Sequence, residues 1–418
     1  MSQAIIIGGG PAGLATALRL QQKTNIICTV YEIRTEPTTL GGAIGIPPNG
    51  LRLLDRLGVC DELHKYGSDH CSFSMHSIGG SLLGQQDLIG AAREITGFGY
   101  LRIKRTELQN VMIDAVEKAK IPVHYNKRLT SIKVTADGVE VTFSDGTVDT
   151  GDLLLGCDGI HSAVRKLYVD PEQAPEYTGM ANLGALVPAS NLPETVRSQI
   201  RGMNITMTEE GMLLAMTCKA SNDEFFWAFS KEVSLPDSGD ARDGWEVRRK
   251  EEVDGFKSDL LDILKNAGGE WGNVMRQLVD DTSVVKFYPI YRLPLDRPWN
   301  KGRCLLLGDA AHAMPPHAGQ GVSMALEDVF LLGRLLESEP KSLPDTLQKF
   351  CEIRRPRVNE LASRSVENGS IRKKTGPWGL KMKEMGLWMY MHGFFAFGMN
   401  RWGSATEQMV YDIDEVPI

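Results

Sequence analysis

The chain has 418 residues, 42% hydrophobic and 24% charged, and a formal net charge of -7. That length allows two or three domains, and the acidic balance excludes a general binder of the nucleic-acid phosphate backbone. Seven cysteines, an odd number with no CxxC pair, do not form a disulfide framework and fit a reducing compartment, here the cytoplasm. No basic region precedes the first apolar run, so no secretory signal is expected, and no apolar stretch is long enough to span a bilayer.

The first element is an apolar strand, Ala4–Ile7, that runs into Gly8, Gly10 and Gly13 and then into an alanine- and leucine-rich helix. GxGxxG between a strand and a helix is the first half of a dinucleotide-binding βαβ unit. Gly8 allows the tight turn, Gly10 lets a pyrophosphate approach the backbone, and Gly13 lets helix and strand pack closely. Phosphate charge then rests on the positive end of the helix. A second strand, Ile26–Tyr31, ends in Glu32, roughly 20 residues on, where a carboxylate meets ribose hydroxyls.

Gly41, Gly42 and Gly45 with Pro47 and Pro48 read as an irregular loop, followed by a helix near Gly50 that Asn49 caps. Residues from Phe73 to Gly99 read as short strands and turns. Thr106 is the expected N-cap of the next helix, whose stripe is Leu108, Met112, Ala115 and Val116, and Arg105 stands just before it. Arg105 reads equally as a phosphate contact or a solvated base. Strands follow from Val123 to Leu155, with hairpin turns at Asp137-Gly138 and Asp145-Gly146. The last, Leu153–Leu155, enters GCDGIHSAVRK, which puts Asp158 at the carboxyl end of a parallel strand. Ligand contact and helix capping both suit it.

The segment from Glu176 to Tyr291 alternates apolar and polar residues and reads as an inserted second domain. Its aromatic stripe, Phe225, Trp227 and Phe229, is read as sheet core in preference to a pocket wall. Asp243–Leu264 is a charged, peripheral helix. Strand, loop and helix then return in RCLLLGDAAHAMPPHAGQGVSMALEDVFLLGRLL, where Asp309 follows the strand directly. The helix from Val322 points its positive end at the loop. His312 and His317 lack a third ligand at metal spacing, so no metal is expected. Arg354, Arg355 and Arg357 read as surface ion pairs.

Three of these blocks, GGGPAG with Glu32, GCDGIHSAVR and LLLGDAAHAMPPHAGQG, together resemble the single-component flavin-dependent aromatic hydroxylases, the group A monooxygenases that include salicylate hydroxylase and para-hydroxybenzoate hydroxylase. The resemblance implies an α/β fold: a Rossmann-like FAD-binding domain, an inserted mixed β-sheet substrate domain and C-terminal helices. Its expected limits are 1–175 and 292–370 for the FAD domain, 176–291 for the substrate domain with strands from 73–100, and 371–418 for the C-terminal helical segment. It implies FAD as cofactor and NAD(P)H and O2 as co-substrates. The expected reaction is hydroxylation of an aromatic or heteroaromatic small molecule through a flavin hydroperoxide, with epoxidation of an indole or alkene, or a reductase-like role on a lipid, as alternatives.

By the same resemblance Gly8, Gly10, Ala12, Gly13, Glu32, Gly45, Arg105, Asp158, Asp309, Gly319, Gly321 and Val322 contact the cofactor, and Asp158 also serves transient NAD(P)H docking. Two features depart from the family. Leu183-Gly184 stands where many relatives have Arg-Gly, and no tyrosine lies between Tyr177 and Tyr288. That leaves His317 as the nearest titratable candidate for a catalytic base. The aromatic-rich Trp388–Phe397 is read as a helix packed on the substrate domain in preference to a membrane or lipid contact. Monomer and homodimer stay open.

Overall fold

In the computed structural model of the chain, the described residues are 2–37, 42–87, 89–234, 250–338, 342–396 and 404–418. The first apolar run forms the strand Gln3–Ile7 in the interior of a six-stranded sheet. Ile27–Tyr31 and Val123–His124 lie on one side of it; Leu153–Gly156, Cys304–Leu306 and Asn300–Lys301 lie on the other. Every pairing is parallel except the hairpin of the last two. A parallel sheet is covered on both faces, which explains why these strands are apolar throughout.

Register decides what this sheet positions. Ile7 pairs with Gly156, and Gly156 with Leu306, so the carboxyl ends of three strands far apart in sequence coincide. Each end leads into one of the three glycine-bearing blocks. The crossover helix Pro11–Lys23 packs beside the helix Gly321–Glu337, with the Arg19 guanidinium 4.0 Å from the Phe330 ring centre.

A second, seven-stranded sheet runs in the order Lys286–Arg292, Glu176–Pro188, Glu224–Glu232, Gly211–Thr217, Met203–Met207, Ser72–His76, Leu82–Asp87. It is antiparallel except where Met203–Met207 meets Ser72–His76. Strand alternation gives it two faces. Leu183, Ala185, Phe225, Trp227, Phe229 and Phe287 turn to the helices Lys250–Leu264 and Gly269–Asp280 and form one core with Trp271 and Met275. The aromatic stripe is therefore sheet core. The opposite face carries Leu186, Met216, Phe226 and Ala228 and packs against Ala43 of the first half.

Several local expectations change. The loop read over Gly41–Pro48 contains the strand Ala43–Ile46, paired with Leu101–Lys104; Gly41 lies outside the described residues. Asn49 is not a cap, because the helix Pro48–Arg56 already starts before it. Thr106 is not a cap either, because Arg105 is the first residue of the helix Arg105–Lys118. The block after Asp158 contains only a short turn of wide helix, Arg165–Val169. Residues 243–249 lie outside the described ones, and the helix expected there is seen as Lys250–Leu264.

The chain ends in the helices Leu343–Ser370, Pro377–Ala396 and Ser404–Val410. Pro377–Ala396 lies over the edge of the seven-stranded sheet, where Glu384 Oε1 accepts from Ile78 N at 2.8 Å and Met391 is buried. Its other side exposes Trp378, Met382, Trp388 and Met389. Among the described residues no helix is long and apolar enough to cross a membrane. All seven cysteines are free.

Candidate functional site

The first glycine block is shaped by close approach. A Cβ on Gly8 would lie 2.4 Å from Cys157 O, and one on Gly13 would lie 1.9 Å from Gly8 O, so strand, turn and helix meet backbone to backbone. Gly8 also has a φ of 109°, in the region that favours glycine. A Cβ on Gly10 meets nothing within 4 Å. The protein leaves that side of the turn open. The Gly9 peptide is held on both sides: its N–H donates to Glu32 Oε2 at 2.7 Å and its carbonyl accepts from Gln109 Nε2 at 2.6 Å. Glu32 therefore has a structural task as well as the expected ribose contact, and its other oxygen accepts from Arg34 N at 3.0 Å.

Asp158 does cap: its Oδ2 accepts from Ala163 N at 2.6 Å and Val164 N at 3.2 Å. Its Oδ1 is buried without a hydrogen bond. Arg165, fully buried, links this block to the next by donating from Nη1 to Ala310 O at 2.9 Å and from Nη2 to Ile160 O. Asp309 begins the short helix Asp309–His312 and opens onto the cleft. Its carboxylate is accessible to solvent but ringed by protein, and this desolvation holds it above the usual carboxylate range, against the opposing charges of His312 and Arg105. Desolvation raises Asp158 as well. Arg105 feels both Asp309 and Tyr288, and its backbone N–H donates to Gly42 O at 3.0 Å. One cation and two carboxylates thus converge where the strands end.

The far end of the cleft has two walls. One is the strand Ala43–Ile46, where a Cβ on Gly45 would strike the Tyr100 hydroxyl at 1.9 Å. The other is the loop Pro316–Ala318 and Gly319, whose own Cβ would lie 3.7 Å from the same hydroxyl. Tyr100 thus stands between the walls. Gly321 starts the helix Gly321–Glu337, open on its exposed side, and Val322 packs on the core behind it. No acidic side chain occupies the first turn of that helix, so its N–H groups and positive end remain available to negative charge on a ligand.

His317 lies in this loop but faces away from it. A Cβ on Gly369 would come 2.8 Å from its Cδ2, so the ring sits on the helix Leu343–Ser370. Burial, with the nearby charge of Arg372, pushes its pKa down to about 3. A ring with so low a pKa is neutral and weakly basic near neutral pH, which does not favour the catalytic base expected of it. His312 is committed elsewhere: its Nε2 is 2.7 Å from Asp328 Oδ2.

That contact belongs to a buried charge cluster that the sequence reading missed. Asp328 Oδ2 also accepts from Gly308 N at 2.8 Å, next to Asp309. Arg354 donates to Asp328 Oδ1 at 2.8 Å and to Glu327 Oε2 at 2.9 Å, and Arg357 lies 3.5 Å from Glu327. Arg354, Glu327 and Asp328 are almost inaccessible. The expected surface pairs of Arg354 and Arg357 are therefore core ion pairs. Arg355 is half-buried, 4.4 Å from the Trp299 ring centre, and donates to the carbonyls of Leu295 and Arg297. The only sequence signal was the LED triplet inside an apolar helix, where two adjacent carboxylates need cations. Among the described residues no cluster of His, Cys, Asp or Glu could hold a metal.

Across the cleft the second sheet supplies an apolar face with a polar margin. Asn182 pairs in register with Tyr288 and with Ser230, whose hydroxyl bonds the Asn182 side chain. Tyr288 lies on the strand Lys286–Arg292, at the boundary of the tyrosine-free interval. Leu183, in place of the family arginine, is buried on the helix side of the sheet and faces away from the cleft.

Comparison with known proteins follows this geometry. A family model described as an FAD binding domain matches residues 1–261 and 280–365. The chain is 30% identical over 339 residues to 6-hydroxynicotinate 3-monooxygenase of Pseudomonas fluorescens, covering 79% of this chain and 82% of that protein. It is 27% identical to salicylate hydroxylase of Pseudomonas putida, covering 89% and 86%. Its fold superposes on Klebsiella pneumoniae HpxO complexed with FAD and uric acid with a TM-score of 0.81 at 25% identity, over 98% of this chain and 97% of that one.

Proposed function

The chain belongs to the FAD binding domain family, and from that premise we propose how its residues serve an FAD-dependent, NAD(P)H-consuming aromatic monooxygenase. Bound FAD would supply the redox chemistry, passing the two electrons of NAD(P)H to O2 so that one oxygen atom enters an electron-rich ring and the other leaves as water. The observation that carries the assignment is the coincidence of three parallel strand ends, which brings Gly8–Gly13, Asp158 and Asp309 to one edge.

In this reading Gly8, Gly10, Ala12 and Gly13 receive the pyrophosphate at the start of the helix Pro11–Lys23, and Glu32 accepts from the adenosine ribose. Arg105 neutralises phosphate charge. Asp309 would accept from the ribityl hydroxyls, with desolvation holding its carboxylate above the usual range. Asp158 presents its unbonded oxygen to the cofactor and to incoming NAD(P)H. Gly45 and Gly319, which both approach the Tyr100 hydroxyl, would border the isoalloxazine end of the site, and the helix from Gly321 and Val322 would offer its N–H groups to the negative charge that reduction leaves. The substrate is an aromatic or heteroaromatic small molecule lying on the face of Phe226, Leu186 and Met216, with Tyr288, Asn182 and Ser230 as its polar contacts. Apolar walls there keep water from the reacting oxygen.

The test is substrate-stimulated NAD(P)H oxidation over a panel of aromatic acids and N-heteroaromatics under 18O2. The expected result is a yellow protein and one labelled oxygen in the product. Consumption of substrate without label would end the monooxygenase assignment.

A further inference from the structure

The two walls of the ring slot come from distant segments: Ala43–Ile46 with Gly45, and the loop that ends at Gln320 with Gly319 and Gly321 on either side. Asn49 lies directly behind the first wall, in the helix Pro48–Arg56, and is 1% exposed. Its side-chain amide donates across the gap to Gln320 Oε1 at 3.0 Å and to Glu327 Oε1 at 2.9 Å. Gln320 immediately precedes the helix Gly321–Glu337, and Glu327 lies within that helix, fixed by Arg354 and Arg357.

Two further observations single out this contact. Asn49 Oδ1 is buried without a hydrogen bond, so the residue carries a desolvation cost that an apolar side chain would avoid; only its two donors justify it. Its neighbour Gly50 has no room for a side chain, because a Cβ there would lie 2.3 Å from Ser323 Oγ. The starts of the two helices therefore touch here, and the amide bridges them.

We propose that Asn49 is a positioning residue that holds the two walls of the isoalloxazine slot at a fixed separation. This rests on the FAD reading above. Asn49 contacts the ring end of the site through Gln320 and has no bond to Gly8–Gly13, Glu32 or Asp309, which build the adenosine and phosphate end. Its effect must therefore be confined to one end of the cofactor.

The test compares two probes on apoprotein prepared from the full chain: FAD, which fills both ends, and ADP, which fills one. In Asn49→Leu, FAD affinity falls ~10-fold, the loss expected for one or two buried hydrogen bonds, while ADP affinity stays within about twofold of wild type. Gln320→Leu removes one of the two bonds and shows the same selectivity with a smaller loss. The double variant is no worse than Asn49→Leu alone, because the two residues act through one contact. Unchanged FAD affinity in the variants, or equal losses for FAD and ADP, overturns the proposal. If Asn49→Leu does not fold, Gln320→Leu decides by the same criterion. A wild-type chain that binds neither probe overturns the FAD reading instead.

Discussion

Side chains on which fold and function bear differently are the most informative ones. His317 was singled out by its place in the loop, but its ring rests on Gly369 and its pKa is pushed from 6.5 to about 3. A histidine with a depressed folded pKa binds its proton more weakly folded than unfolded. Its contribution is complete above pH 6.5 and is lost as pH falls towards 3. We expect His317→Asn to flatten the fall of the urea midpoint between pH 6.5 and 3, leaving turnover at pH 7.5 within about threefold of wild type, since neutral asparagine still packs the loop. A loss of a hundredfold or more in turnover would restore the base. Arg354 is the opposite case. Burial opposes its charge, but Asp328 and Glu327 override this and raise its pKa. Arg354→Leu removes the guanidinium that both buried carboxylates share, leaving Asp328 to His312 and Glu327 to the more distant Arg357, and should cost about 3–5 kcal/mol in chemical denaturation; a loss below ~1 kcal/mol would mean that the cluster is wet. The sequence distinguished these residues poorly. A run of arginines around Pro356 has the same spelling on a surface and in a core, whereas Gly8 and Gly13 were legible because only glycine satisfies their backbone contacts.

Elements were legible in proportion to how strongly local pattern determined them. The strand Gln3–Ile7 and the helices Pro11–Lys23 and Gly321–Glu337 announce themselves by apolar runs bounded by glycine. The strand Ala43–Ile46 did not, because four residues between glycines and prolines have no readable period. Nor did the chain's last turn, Ile413–Glu415, which returns to the first domain. Ile413 is fully buried in that domain's core, Arg56 is paired with Asp412 at 2.6 Å and Asp414 at 2.8 Å, and Arg334 donates to Ile413 O at 2.7 Å. This strap braces the helix Pro48–Arg56 from behind, the helix that carries Asn49. We expect Ile413→Ala to cost about 2–5 kcal/mol of stability by the cavity it leaves. Thermal unfolding followed with and without added FAD will check it. A midpoint within a degree of wild type would show that the strap is ornamental to the fold.

In the proposed function, the molecule works by apposing a mainly parallel sheet that would hold the cofactor to a mostly antiparallel sheet that would present the substrate. The change of texture near residue 176 was visible in the sequence, but not which face of the second sheet meets the first. The alternation that buries Phe225, Trp227 and Phe229 under helices sends Phe226 and Ala228 to the cleft. Several contacts join the halves directly. Arg102, on the short sheet of the first half, donates to Thr217 O at 3.0 Å, and Lys104 is 2.8 Å from Glu224. Between them Gly42 lies so close to Phe226 that a Cβ would come 2.2 Å from the ring. Gly42→Ala must push the sheets apart or turn that ring, an overpacking that costs about 1–3 kcal/mol. Gly42 O also accepts from the Arg105 N–H, so the comparison is made on protein fully loaded with FAD. The KM of the aromatic that best stimulates NAD(P)H oxidation should rise by roughly 5- to 100-fold, the same energy expressed in binding. Equal KM values in wild type and Gly42→Ala would mean that the substrate does not lie between these two sheets.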